Sequence, residues 1–151
     1  MVFWLTSLLV VIADQVSKYL VVSRFYFGES IEVFGSWLHF TFVRNTGAAF
    51  GILSGRLWFF VVFTLIVLVG IIYYCIATKP PAVVQLLLGL IAGGAMGNFI
   101  DRLFKPGVVD FIDLGWWPVF NLADSAITCG AVLFILYNYF IDKKKADDGK
   151  N

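Results

Sequence analysis

Residues 57–100, LWFFVVFTLIVLVGIIYYCIATKPPAVVQLLLGLIAGGAMGNFI, hold two apolar runs, 57–77 and 81–100, separated only by Thr78-Lys79-Pro80-Pro81. Each run is near the ~20 residues a helix needs to span a bilayer. So short a proline-containing connection breaks the helix and turns the chain back, which makes the two runs an antiparallel hairpin. Apolar runs of similar length recur at 1–22 and 122–141. The expected fold is therefore an all-α integral membrane protein with four transmembrane helices in one domain over 1–142, followed by a charged tail, 143–151, expected to be disordered. Composition agrees, since 60% of the 151 residues are hydrophobic and the mean hydropathy is +0.89.

The first run is not read as a cleaved signal peptide: it has no basic start and no small-x-small pattern, and it carries Asp14 and Lys18. A net charge of +1 argues against a nucleic-acid partner. Cys75 and Cys129 sit far apart in apolar runs, so both are read as packing residues. One histidine, His39, and no His-Glu-x-x-His pattern leave no metal site, and no cofactor is expected. Lys143-Lys144-Lys145 and Lys79 fall on one side of the four-span topology, which places both termini in the cytoplasm. Arg24, Arg44, Arg56, Arg102 and Lys105 then lie outside, against the usual bias, so either the topology is inverted or function holds some of those arginines there.

Between the first two spans, Leu38, Phe40 and Phe42 alternate with His39, Thr41 and Val43, the pattern of a strand. A small extracytoplasmic β-platform follows, edged by interfacial aromatics such as Phe25, Phe34 and Trp37. The stretch 104–119, with Pro106-Gly107, Gly115 and Trp116-Trp117-Pro118, is expected to be an irregular loop.

With a rise of ~1.5 Å per residue and a slab of ~30 Å, Asp14 lies roughly 20 Å across and Lys18 about 25 Å, one turn apart on one helix face. The third span brings Asn98, Asp101 and Arg102 to the same boundary, and the fourth starts there with Asn121 and Asp124. Asp110 and the turn Arg44-Asn45-Thr46-Gly47 lie on that side too. Polar groups converging on one layer of a membrane protein mark a site built between helices.

Each has a plainer reading. Asn121-x-x-Asp124 has the form of a helix N-cap with an acid at the third position. Asp14 with Lys18, and Asp101 with Arg102, read as ion pairs that reduce the insertion cost of ~2.5–3.5 kcal/mol per central charge. Asp113 reads as a solvated loop acid. Ser17 beside Lys18 is a weak Ser/Lys hydrolase candidate, because adjacent helical residues point apart. Gly93-Gly94-x-x-Gly97 lies in an apolar helix and reads as a close-packing surface rather than a phosphate loop.

Five blocks stand in order: Asp14-Gln15-x-x-Lys18, Arg44-Asn45-x-Gly47-Ala48-Ala49-Phe50, Gly94-Ala95-x-Gly97-Asn98-x-x-Asp101-Arg102, Val109-Asp110-Phe111 and Phe120-Asn121-x-Ala123-Asp124. Together with four spans they resemble the lipoprotein signal peptidase family, also called signal peptidase II, from Asp14 to about Ile127. The chain departs from that family in lacking the basic residues that often precede the first span. The resemblance implies an aspartyl endopeptidase of the bacterial cell membrane that removes signal peptides from prolipoproteins, cutting before a cysteine bearing a diacylglyceryl group. It implies Asp110 and Asp124 as the catalytic pair, with Asp14, Lys18, Asn45, Gly94, Asn98, Asp101, Arg102 and Asn121 as supporting or substrate-contacting positions. It also implies a site near the extracytoplasmic face, open sideways to membrane lipid, and this lateral gate favours a monomer.

Two carboxyls held close cannot both ionise, so one serves as base and the other as acid. Asn98 and Asn121 are expected to orient them, Arg102 to staple the third helix to the platform through Asp101, and Asn45 with Gly47-Ala48-Ala49 to contact substrate. Gly51, Gly55 and Gly107 read as ordinary turn glycines rather than hinges. The competing class is a small proton-coupled transporter or channel subunit, but that class places ionisable residues near the midplane with routes to both sides. A structural scaffold explains the glycine face and leaves Asp110 without a purpose.

Overall fold

The structure, a computed structural model, describes residues 1–47 and 56–148. Ala48, Ala49, Phe50, Gly51 and Gly55 lie outside the described residues. The order of elements is α1 (Val2–Arg24), β1 (Ser30–Phe34), β2 (Leu38–Asn45), α2 (Leu57–Thr78), α3 (Ala82–Phe104), β3 (Val108–Asp113) and α4 (Leu122–Asp148). Each helix contains a stretch long and apolar enough to cross a membrane. The α2–α3 turn is built as its residues suggest: Lys79 caps α2 in the left-handed region at φ 45°, donating its N–H to Cys75 O, and Pro81 starts α3.

Two expectations about the elements change. The stretch 104–119 is not wholly irregular, because β3 lies inside it and joins an antiparallel sheet of order β1-β2-β3. Its first four residues are all buried, so Val108-Val109-Asp110-Phe111 lacks the alternation that reveals a half-exposed strand. The charged tail is not simply disordered either, since α4 continues helical to Asp148. Lysine is a good helix former, so a helix already nucleated by a long apolar run carries on through it.

Helix α3 is the centre of the bundle, in contact with α1, α2 and α4. Glycines make this possible. A Cβ on Gly93 would lie 2.7 Å from Ser7 O of α1, a Cβ on Gly94 would meet Ala123 O of α4, and a Cβ on Gly97 would meet the Asp14 carboxylate. The Gly93-Gly94-x-x-Gly97 surface is thus a close-packing face toward two helices at once.

Two apolar clusters bracket the molecule along the helix axes. Phe3, Leu68, Val84, Leu88 and Ala92 form one, joined at its edge by Cys75. Val21, Phe42, Val109 and Phe111 form the other, where the sheet sits on the end of α1. Asp14 and Lys18, between Phe3 and Val21 on α1, are both fully buried, so the polar layer lies between the two clusters. Outward-facing residues such as Leu5, Leu8, Phe63, Ile66, Leu133 and Ile135 are exposed in the bare protein and suited to lipid. Cys129 is exposed rather than packed inside.

Candidate active site

The position of Asp110 follows from its neighbours. Val109 and Phe111 turn into the cluster with Val21 and Phe42, so the strand period of two sends Asp110 to the opposite face. After β3 the chain loops back, and Phe120 pairs with Ile112: Ile112 N–H donates to Phe120 O at 2.7 Å and Phe120 N–H to Ile112 O at 3.0 Å. That bridge sets Asn121, the next residue, beside Asp110.

Asn121 then starts α4 as a reciprocal cap. Its Oδ1 accepts the Asp124 N–H at 2.9 Å, and Asp124 Oδ2 accepts the Asn121 N–H at 3.3 Å. The plain cap reading is therefore realised, and it does not exclude the other one. The same Asn121 also donates from Nδ2 to Asp110 Oδ1 at 2.7 Å, so the cap residue links the two carboxylates. Asp110 and Asp124 line one cavity of about 310 Å3 together with Asn45, Asn98, Arg102 and Thr128.

Three asparagines face the pair, each oriented by a group that can only donate. Asn98 Oδ1 accepts the Lys18 ammonium at 2.9 Å, which turns its Nδ2 to Asp124 Oδ1 at 2.7 Å. Asn121 Oδ1 takes the Asp124 N–H, which turns its Nδ2 to Asp110. Asn45 Oδ1 accepts the Gly47 N–H at 2.9 Å, which turns its Nδ2 to Asp110 Oδ2 at 3.1 Å. An ammonium or a backbone N–H cannot accept, so these amide orientations follow from the chemistry. Asn45, expected to contact substrate, lines the cavity and also hydrogen-bonds Asp110.

Burial raises the Asp110 carboxyl to about 7, and the Asp124 carboxylate pushes the same way, against the hydrogen bonds from Asn45 and Asn121 and the charge of Lys18. A carboxyl poised there can hold or release a proton near neutral pH.

Beneath the pair lies a second, fully buried layer. Lys18 pairs with Asp14 at 2.9 Å and Asp101 at 3.0 Å. Asp14 Oδ1 also accepts the Ala123 N–H in the first turn of α4 at 3.1 Å, and Asp101 Oδ2 the Val109 N–H at 3.2 Å. Gln15, the second residue of the first block, donates to Asp14 and Asp101, each at 3.1 Å, and so belongs to this layer although the resemblance assigns it no role. A polar amide next to an aspartate inside a span was the signal for it.

The Asp14–Lys18 pair is present, but the Asp101–Arg102 pair is not. Asp101 takes Lys18 and Lys105 instead, and Arg102 lies over the Phe60 ring of α2 at 4.9 Å while lining the cavity. Adjacent helical residues diverge by about 100°, so Asp101 and Arg102 cannot share a direction. The platform staple is therefore Asp101 itself, through Val109. Ser17 donates to Asp14 O at 2.8 Å and the Lys18 amine is held by carboxylates, an arrangement without a free base for a serine nucleophile. Asp113 is the end of β3 and accepts Thr41 Oγ1 at 2.7 Å and Gly115 N–H at 2.8 Å rather than standing in a loop. Trp117, quoted only as part of an outer loop, and Phe120, quoted only within the fifth block, also line the cavity, as does Thr128, which no sequence signal singled out. Among the described residues no three His, Cys, Asp or Glu side chains gather as metal ligands.

Comparison with known proteins gives this geometry its context. A solved bacterial membrane enzyme, determined by the in meso method at 2.3 Å, superposes with a TM-score of 0.88 at 40% identity, covering 95% of this chain and 90% of that one. A lipoprotein signal peptidase of Syntrophomonas wolfei is 49% identical over 134 residues, 89% of this chain and 90% of the relative. One from Bacillus velezensis is 44% identical over 152 residues, covering 97% of this chain and 99% of the relative. Residues 6–140 match the family model described as signal peptidase (SPase) II, and the chain belongs to that family of bacterial membrane proteases.

Proposed function

We propose that this protein is an intramembrane aspartyl endopeptidase that removes signal peptides from prolipoproteins, cutting before a cysteine that carries a diacylglyceryl group. The observation that carries the reading is the pair Asp110 and Asp124 in one cavity, whose hydrogen bonds among the described residues come from amides. Neutral amides orient carboxyls without forcing both to ionise, which is what a pair sharing one proton requires.

In this mechanism the ionised member takes a proton from a water that attacks the scissile carbonyl. The protonated member hydrogen-bonds the carbonyl oxygen, and its proton later helps the amine leave. The titration belongs to the pair. Arg102, lining the same cavity, supplies donors toward the substrate backbone. Asn45, Asn98 and Asn121 aim the carboxyls, while Asp14, Lys18 and Asp101 hold Asn98, α4 and β3 in place. Gly94 lets α4 approach closely enough for Asn98 to reach Asp124.

An apolar cavity of about 390 Å3, lined by Leu114, Trp116 and Cys129, shares Asp124, Trp117, Phe120 and Thr128 with the catalytic one. It offers the lipid-bearing substrate a route from the bilayer without passage through water. The protein then works as a monomer, without cofactor, with both termini cytoplasmic, the tail 143–151 on that side, and the site near the extracytoplasmic face. The transporter reading has no support in a polar layer confined to the platform end.

The test is cleavage of a diacylglyceryl-modified prolipoprotein by purified protein in detergent. Native protein is expected to cleave, and Asp110→Asn and Asp124→Asn, each with unchanged thermal unfolding, to lose at least about 1000-fold of the rate. A near-native rate in either folded variant would remove that aspartate from the mechanism.

A further inference from the structure

On the other face of the platform lies a second polar cavity, of about 440 Å3, to which neither the peptidase chemistry nor the substrate route assigns a use. It is lined by Gln15, Lys18 and Tyr19 of α1, Arg44 and Val109 of the sheet, and Phe104 and Lys105 at the end of α3. Its charges do not cancel. Lys18 and Lys105 are matched by Asp14 and Asp101, which leaves Arg44 as a net positive charge. Among the described residues no carboxylate pairs with Arg44, and its guanidinium lies over the Phe42 ring at 5.7 Å. Lys105 is one third exposed, with two of its three N–H donors given to Asp101 at 2.7 Å and Gln15 at 3.2 Å. One donor remains for a ligand.

The rim is apolar. Tyr19 is 71% and Phe104 79% exposed, and they continue into Val16, Leu20 and Val22, also exposed on α1. A cavity that offers cationic donors inside and aromatics outside, at the level where α1 and α3 leave the apolar span, combines the features of a headgroup site with those of a membrane-interface belt.

We propose that this cavity seats one anionic phospholipid, with its phosphodiester between Arg44 and Lys105 and its chains running down past Tyr19 and Phe104. Free phosphate would use the cations and leave the aromatic rim without a partner. A zwitterionic headgroup would bring its own cation to a site that already has one in excess. Arg44 adjoins Asn45 and pairs across the sheet with Val109, the neighbour of Asp110. A lipid held there ties to the bilayer the same two strands whose opposite face carries the cavity-lining Asn45 and Asp110. This inference does not depend on the peptidase reading.

The experiment is native mass spectrometry of the delipidated full chain in detergent, titrated with phosphatidylglycerol, with phosphatidylcholine of the same chains, and with inorganic phosphate. One phosphatidylglycerol is expected to be retained in preference to phosphatidylcholine and to survive excess inorganic phosphate. Arg44→Gln should weaken its retention roughly five-fold, the weight of one interfacial cation, and Lys105→Gln should act in the same direction. Arg24→Gln, at an exposed cation outside the cavity, should leave it unchanged. Arg44 is itself exposed, so its variant is expected to fold. Equal retention of both lipids, displacement by phosphate, or an Arg24→Gln effect as large as that of Arg44→Gln would each overturn the proposal.

Discussion

At the scale of single residues, the site depends on which atom of each asparagine faces the carboxylates. Asn45, Asn98 and Asn121 each have Oδ1 occupied by an obligate donor, so each presents N–H to the pair. This has a consequence for pH. Burial first, and Asp124 second, hold the Asp110 carboxyl at about 7, and the Asn45 hydrogen bond opposes them by favouring the ionised form. Removing that bond in Asn45→Ala should raise Asp110 further. A pair that works with one proton loses activity as pH rises through its upper titration, so the alkaline limb of kcat/KM is expected to move to higher pH. A limb that stays in place while KM rises would assign Asn45 to the substrate instead. Sequence showed that these asparagines lie near the site, but not their orientation, because an amide has two ends and only its partners choose between them.

At the scale of elements, glycine decides how close helices come. A Cβ on Gly94 would meet Ala123 O and approach Ile127 Cγ1 to 2.9 Å, both on α4, and backbone cannot move aside cheaply. Gly94→Ala is therefore expected to destabilise the protein by about 1–3 kcal/mol and to depress cleavage, by pushing Asn98 off Asp124. Gly70→Ala in α2, where a Cβ meets nothing within 4 Å, should leave stability level or raise it by up to about 1 kcal/mol. Thermal unfolding of both variants in one detergent measures the contrast, and equal effects would mean that α3–α4 packing is looser than the geometry implies. The helices were legible because a run of ~20 apolar residues has few alternatives. β3 was not, because a strand buried on both faces shows no alternation and its identity rests on pairing with β2 and Phe120.

At the scale of the whole molecule, one buried ammonium joins four elements. Lys18 of α1 holds Asp101 of α3, which accepts Val109 of β3, and it holds Asp14, which accepts Ala123 of α4. Lys18→Met would leave the buried Asp14 without its cation and Asp101 with Lys105 alone, at an expected cost of about 3–5 kcal/mol. Lys105→Met, at a partly exposed cation whose partner keeps Lys18, should cost no more than about 1 kcal/mol. Denaturant or thermal midpoints rank the two, and a larger loss in Lys105→Met would make the surface pair rather than the buried one the tie. Sequence alone determined the four spans, their hairpin and the gathering of the polar residues in one layer of the bundle, because helical rise and periodicity convert position along the chain into height and face. Tertiary structure decided which polar groups meet: Asp101 with Lys18 and Lys105 rather than Arg102, Asn45 with Asp110, and Asn121 between both carboxylates. Those choices depend on how closely α1, α3 and α4 approach at their glycines and on the return of Phe120 to Ile112, which are contacts between residues far apart in the chain that no local pattern encodes.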